Sequence, residues 1–147
     1  MTKLTNAVGE DRRWWGVMPI LPAPVMGGIA KQMEAVGFEG CFSLQIYGPP
    51  FVPMAAVAAM TDTLKVSTGI AVAGTRSPVE TAFAAMELDT ISKGRFVLGL
   101  GTSLHSAIVG IYGEPKRKLL THLREVVKVV RYVNANAHKG MEPIHGE

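Results

Sequence analysis

At 147 residues, 48% apolar and 18% charged, the chain is long enough to bury a core and too apolar to be disordered. Its formal charge is +3, with seven Lys or Arg against four Asp or Glu in residues 113–147 and no charged residue in 40–61. A mild basic excess spread along one helix without aromatic interleaving excludes a nucleic-acid surface. The uncharged run 14–30 is shorter than the ~20 residues a bilayer crossing needs. Pro19, Pro22 and Pro24 also break it, so no membrane role is expected. The lone Cys41, with no second cysteine for an internal disulfide, points to a reducing, cytoplasmic setting. Its apolar surroundings, "GCFSLQ", predict a buried, inert thiol.

Four units repeat one pattern along the chain. The first strand falls within 15–21, and the first helix runs from about Val25 to Val36, with Ile29, Met33 and Val36 on one side and Gly37 as its C-terminal cap. The second strand is 40–46; a Pro-rich loop leads into a helix over 54–64. The third strand is 66–73, weakened at its middle by Gly69. Ser77, Pro78 and Glu80 then supply three helix-start signals, and Val79, Ala82, Phe83, Met86 and Ile91 continue that helix to about Gly94. The fourth strand is 95–101, followed by a loop and a last helix with Leu119, Leu120, Leu123, Val126, Val127, Val130 and Val133 at helical spacing.

Alternating strands and helices with near-continuous apolar strands mean parallel strands covered by helices. Two architectures satisfy this pattern, an open doubly wound sheet or part of a barrel. In both, ligands gather at the carboxyl ends of the strands. There the chain places Gln45-Ile46-Tyr47, Ala73-Gly74-Thr75-Arg76 and Gly99-Leu100-Gly101-Thr102-Ser103. The G-x-G of "GLGTSL" is not a dinucleotide fingerprint, because Leu104 stands at the third glycine position and the run follows the fourth strand rather than the first. His122, His138 and His145 form no ligand pattern, and no metal is expected.

The stretch "GIAVAGTRSPVETAFAAMELDTISKGRFVLGLGTS" (69–103) resembles the luciferase-like oxidoreductase family. Within it, the stretch is most similar to the branch using the deazaflavin coenzyme F420, including relatives of methylenetetrahydromethanopterin reductase. The combination carrying the resemblance is T-R-S-P, a helix ending L-D-x-x-S-x-G-R-F, and L-G-L-G-T. "QMEAVGFEG", "HLREVVKVVR" and the closing "HGE" agree with it.

The resemblance implies a (β/α)8 barrel, of which residues 1–147 supply the N-terminal half, about four parallel strand–helix units truncated before the C-terminal half. It implies hydride transfer to or from a small organic substrate, with coenzyme F420 as cofactor and flavin mononucleotide (FMN) as the alternative. Gln45, Gly69, Ile70, Ala71, Gly101, Thr102 and Ser103 are the implied cofactor-binding residues. A non-proline cis peptide at Gly69–Ile70 would lie against the cofactor ring. Small residues at Gly69, Ala71, Ala73, Gly99 and Gly101 let a ring approach the backbone, although Gly99 and Gly101 serve close packing equally well.

Arg76 either attracts an anionic ligand or pairs with Glu80 or Asp89. Several members carry an acid, and one subfamily a following histidine, where this chain has Gln45 and Ile46. Leu104 replaces an acid of the sugar-phosphate dehydrogenases, which disfavours that substrate class. His105 is the one histidine near the implied site and the weak candidate for a catalytic acid, against a solvated loop residue. Half a barrel leaves inward side chains uncovered and two strand edges unpaired. The expectation is therefore a piece inactive alone, or one completed by a second copy or by a separate C-terminal half. An FMN-dependent monooxygenase and a non-catalytic binding or assembly module are the alternatives.

Overall fold

The computed structural model describes residues 13–140; the closing "HGE" and His145 lie outside the described residues. In chain order the elements are β1 (Trp15–Val17), α1 (Ala23–Val36), β2 (Gly40–Ser43), α2 (Phe51–Met60), β3 (Lys65–Thr68), β4 (Ala71–Val72), α3 (Pro78–Ile91), β5 (Phe96–Val97), β6 (Leu100–Gly101), α4 (His105–Gly110) and α5 (Leu119–Asn136). They divide into two compact units, one reaching to Ala71 and including Leu88–Gly99, the other holding Val72–Glu87 and the residues from Leu100 onward.

The first unit is built on a four-stranded parallel sheet in the order β1-β2-β3-β5. Spatial order follows chain order, so each new strand is added to the same edge. A doubly wound sheet would instead reverse direction about its first strand. The sheet is therefore wound as a barrel wall.

Its register aligns Gly16 with Cys41, Cys41 with Val66 and Val66 with Phe96. That row faces the helices: a Cβ on Gly16 would strike Met33 of α1, and the Phe96 ring lies 6.0 Å from Phe51 of α2 at a 46° tilt. Met18, Cys41, Ser43, Val66 and Thr68, in the same alternation, are each at most 1% exposed. On the opposite face Val17 and Val97 remain 50% and 45% exposed.

Helix ends follow local chemistry. Gly37 takes the left-handed conformation (φ +92°), and Phe38 N–H donates to Met33 C=O at 3.0 Å, closing α1 as expected. The second helix begins at Phe51 rather than 54 and ends at Met60 rather than 64. Pro53 is tolerated because it lies in the first turn, where an N–H has no helical acceptor. The buried stripe of α1 is Met26, Gly27 and Ala30, while Ile29, Met33 and Val36 are only half-buried.

The third and fourth strands are each interrupted, at Gly69-Ile70 and at Leu98-Gly99, and the second stops at Ser43. The C-terminus of α3 closes this unit: Leu88 and Ser92 are buried, whereas Ile91 is exposed.

In the second unit Ser77 caps α3, its Oγ accepting from Val79 N–H at 3.2 Å and its C=O from the Thr81 hydroxyl at 3.0 Å. Of the apolar residues named along α3, Ala82 is buried together with Thr81, whereas Phe83 is exposed. The stretch expected as a loop after the fourth strand contains the one-and-a-half-turn α4, anchored by buried Ile108. Along α5, Val126 and Val133 are fully buried and Leu120 is exposed.

Candidate functional site

The motif L-D-x-x-S-x-G-R-F is accounted for by structure. Asp89 C=O accepts from the Ser92 hydroxyl at 3.0 Å and from Gly94 N–H at 2.8 Å, and Ser92 Oγ accepts from Arg95 N–H at 3.2 Å. Those bonds turn the chain from α3 into β5. The Arg95 guanidinium then donates to Ala58 C=O (2.8 Å), Thr61 C=O (3.0 Å), Thr61 Oγ1 (3.1 Å) and Leu64 C=O (2.6 Å). One planar fork thus satisfies the carbonyls left over at the end of α2. Glu34 of α1 does the complementary work on donors. Its carboxylate accepts from the N–H groups of Asp62 (3.1 Å), Thr63 and Leu64 (2.8 Å) and from the Thr63 hydroxyl (2.8 Å).

At the carboxyl ends of its strands the first unit holds Gln45, Gly69, Ile70 and Ala71. The Gly69–Ile70 bond is cis, at the position the sequence resemblance indicates. Gly69 N–H donates to Ser43 C=O at 2.9 Å, and Ala71 N–H to Gly99 C=O at 2.8 Å. The protein itself needs both glycines here. A Cβ on Gly69 would lie 2.2 Å from the Phe42 ring, and one on Gly99 would lie 2.1 Å from Thr68 C=O. Close packing, one of the two roles open for Gly99, is the one observed.

Over the ends of β1 and β2 lies a cavity of about 350 Å³, lined by Val17, Met18, Pro19, Ile20, Ser43, Leu44, Ile46 and Tyr47. The uncharged run from Gly40 onward reads as strand to residue 46; residues 44–46 instead leave the sheet, and Leu44 and Ile46 stand on the cavity wall.

The second unit holds Gly101, Thr102, Ser103 and His105. Ser103 is in the left-handed region (φ +57°), an uncommon conformation for a residue with a side chain. Thr102 Oγ1 donates to Ser103 C=O at 3.2 Å. His105 Nε2 lies 2.9 Å from Arg117 C=O; facing a carbonyl, that nitrogen carries the proton. Burial lowers the Arg76 pKa, opposed by the negative charge of Glu80 and by Tyr112. Glu80, one of the two acids considered as its structural partner, is thus near enough for its charge to act on Arg76.

Fully buried Cys41 has its thiol pKa pushed up by burial to about 11, that of an inert core thiol. Among the described residues no group of three or more His, Cys, Asp or Glu could hold a metal ion. Nor is any helix among them long and apolar enough to cross a membrane.

A parallel sheet wound in chain order, covered by helices on one face and carrying a cavity at its carboxyl edge, defines an α/β protein of the (β/α)-barrel class. The family model for luciferase-like monooxygenases matches residues 22–142, and the chain belongs to that family. A protein of Mycobacterium tuberculosis, provisionally named a coenzyme F420-dependent oxidoreductase, is 31% identical over 127 residues, covering 86% of this chain and 36% of its own.

Two solved structures share the fold. The coenzyme F420-dependent tetrahydromethanopterin reductase of Methanopyrus kandleri superposes with a TM-score of 0.72 at 24% identity, over 82% of this chain and 40% of that one. The oxygenating constituent of the 3,6-diketocamphane monooxygenase of Pseudomonas putida, in complex with FMN, gives 0.71 at 18% identity, over 82% and 39%. The chain spans about a third of the length of the curated relatives it matches, 31% and 36% in two of them.

Proposed function

We propose that this chain forms the N-terminal half of the active end of a luciferase-like oxidoreductase that moves hydride to or from a small organic substrate, with coenzyme F420 as cofactor. The observation that carries the reading is the family match over residues 22–142. The relative named for coenzyme F420 favours the deazaflavin over FMN.

The residues present suit such a group. Gln45, Thr102 and Ser103 offer uncharged hydrogen-bonding groups of the kind that a flavin or deazaflavin ring edge takes, and Gly69, Ile70, Ala71 and Gly101 offer backbone. The left-handed turn at Ser103 adds support, since such conformations cluster where a ligand must be met. When bound, the deazaflavin supplies a hydride-carrying carbon, whereas a reduced flavin also reacts with oxygen and would make the enzyme a monooxygenase. The protein's part is to support one ring face, hydrogen-bond the ring edge and hold the substrate against the other face. Gln45 cannot ionise, so it orients rather than transfers a proton. His105 is left out of the assignment because its ring is turned to the Arg117 carbonyl.

In this reading turnover needs the complementary strands of the barrel, whether from the same polypeptide, a separate one or a second copy, and takes place in the cytosol. The test is titration of the protein with oxidised F420 and, separately, FMN, followed by quenching of cofactor fluorescence. Saturable binding of F420 that Ser103→Ala weakens supports the proposal. Binding of FMN alone moves it to the monooxygenase reading, and binding of neither refutes both.

A further inference from the structure

The parallel sheet of the first unit ends in two strands with a neighbour on one side only, β1 and β5. Peptide groups along a strand point alternately to its two sides. Trp14 C=O accepts from Glu39 N–H, and Met18 N–H donates to Phe42 C=O. Even positions of β1 therefore bond to β2, and Trp15 and Val17 present their peptide groups to the open edge. Val66 N–H donates to Arg95 C=O, so Phe96 of β5 presents its own to the opposite open edge. Among the described residues no strand takes up either row. The face between the edges is also uncovered. One row of register crosses all four strands, Val17 to Phe42 to Ser67 to Val97, and none of its members is charged. Its two outer members, Val17 and Val97, are exposed, and Phe42 is half-buried. The one charge in the same alternation, Lys65, stands at the start of β3 and is paired with Glu39 at 2.8 Å.

We infer that this face and both edges are covered by a second copy of the chain, related by a two-fold axis along the strands, with β5 of each copy parallel to β1 of the other. Such an axis keeps every strand parallel and makes the two seams identical, because the open edges differ and each meets the other. A two-fold across the strands would join like edges antiparallel and leave two edges and both faces open. Four strands and four make eight, the number at which the interior of a parallel barrel is filled by its own side chains. Identical partners bring like charges together wherever a shared face is charged; the row from Val17 to Val97 has none to oppose. The closure stands on the sheet alone; as completion of the active end it rests on the oxidoreductase reading above.

The test combines solution mass by light scattering with amide hydrogen exchange on the full 147-residue chain. The mass should be twice the 15.7 kDa of one copy. As dilution halves it, the amides of Trp15, Val17 and Phe96 should lose protection together, since one event frees both edges. Val17→Asp sets a charge into the shared row at a position that is exposed in a single copy, so each copy keeps its fold. It should weaken the dimer at least about a hundredfold, and Val97→Asp on the other outer strand should do the same. Val109→Asp on α4, with the same 50% exposure as Val17 but outside the sheet, should leave the dimer unchanged.

A single copy at every concentration would overturn the inference. So would a dimer whose edge amides still exchange freely, a dimer that protects one edge alone, or an open-ended series of larger aggregates. Material from the native host in which a different or longer polypeptide covers the sheet would overturn it as well. Neither readout involves a cofactor, which keeps the two claims apart. A closed dimer that binds no cofactor refutes the oxidoreductase reading only, and a single copy that binds one refutes the closure only.

Discussion

Thr68 grips both peptide groups of Gly99: its hydroxyl donates to Gly99 C=O at 2.8 Å and accepts from Gly99 N–H at 2.9 Å. Thr68 ends β3, and Gly99 lies in the gap between β5 and β6, where ladder bonding has stopped. A side chain here replaces the missing rungs, and the glycine lets Thr68 C=O come within 2.1 Å of where a Cβ would stand.

Thr68→Val keeps the shape and removes both bonds, leaving the partly buried Gly99 N–H without a partner while Gly99 C=O keeps only the bond from Ala71 N–H. The expected loss is about 2–3 kcal/mol in urea unfolding. Gly99→Ala sets a methyl against backbone rather than a movable side chain, so its loss should be larger, at least about 3 kcal/mol. Equal stability of Gly99→Ala and the parent would show that the strands do not close in this way.

Arg95 should be as sensitive. Arg95→Ala strands three carbonyls at the end of α2 and should destabilise by about 2–4 kcal/mol. Arg95→Lys brings back a charge but not a fork, and should recover less than half of that loss. Full recovery by lysine would mean that charge, rather than the geometry of four acceptors, is what matters.

Glu34 makes stability depend on pH on the acid side. Burial acts to raise its pKa, but the hydrogen bonds from Thr63, Leu64 and Asp62 outweigh it and hold the pKa below the ordinary 4.5. The folded state thus favours the carboxylate. Its contribution is present above about pH 4.5 and is lost as pH falls through the depressed value. In Glu34→Gln the fall in stability between pH 6 and pH 3 should be shallower than in the parent. Parallel curves would contradict the assignment.

Cys41 acts at the other end of the pH scale. Its thiol is raised from 9.0 to about 11 in the folded state, so the fold favours the protonated form. That contribution is intact below about pH 9 and is lost as pH rises toward 11. At pH 8 the native thiol should react with a disulfide reagent only at the rate of unfolding, and Cys41→Ser should abolish the reaction. Rapid labelling of the folded protein would show an exposed thiol.

The strand–helix repeat was legible because buried parallel strands are apolar on both faces and the helices carry strong end signals. Gly37 and Ser77 mark such ends, and both behave as read. The breaks in the third and fourth strands were harder to see. They depend on Thr68 reaching Gly99 across 31 residues, a contact that no local pattern announces. The helix at His105–Gly110 was hidden by its shortness and by Gly110 and Gly113, which read as loop. On α3 the apolar residues did not say which stripe is buried: Ala82 is, with the polar Thr81 beside it, while Phe83 and Ile91 are exposed.

Arg95 and Ser92 belong to a motif visible in the sequence, yet they fasten α2 and α3 rather than meet a ligand. The cavity beside Ser43 left no signal of its own, since an uncharged run reads the same as strand or as wall.

The most direct measurement is the identity of whatever leaves the protein when it is purified from its native host and denatured. The account predicts a released deazaflavin, with FMN the outcome that would mark a monooxygenase. A protein that releases neither, and takes up neither when supplied, would contradict a cofactor-dependent oxidoreductase and leave only the fold.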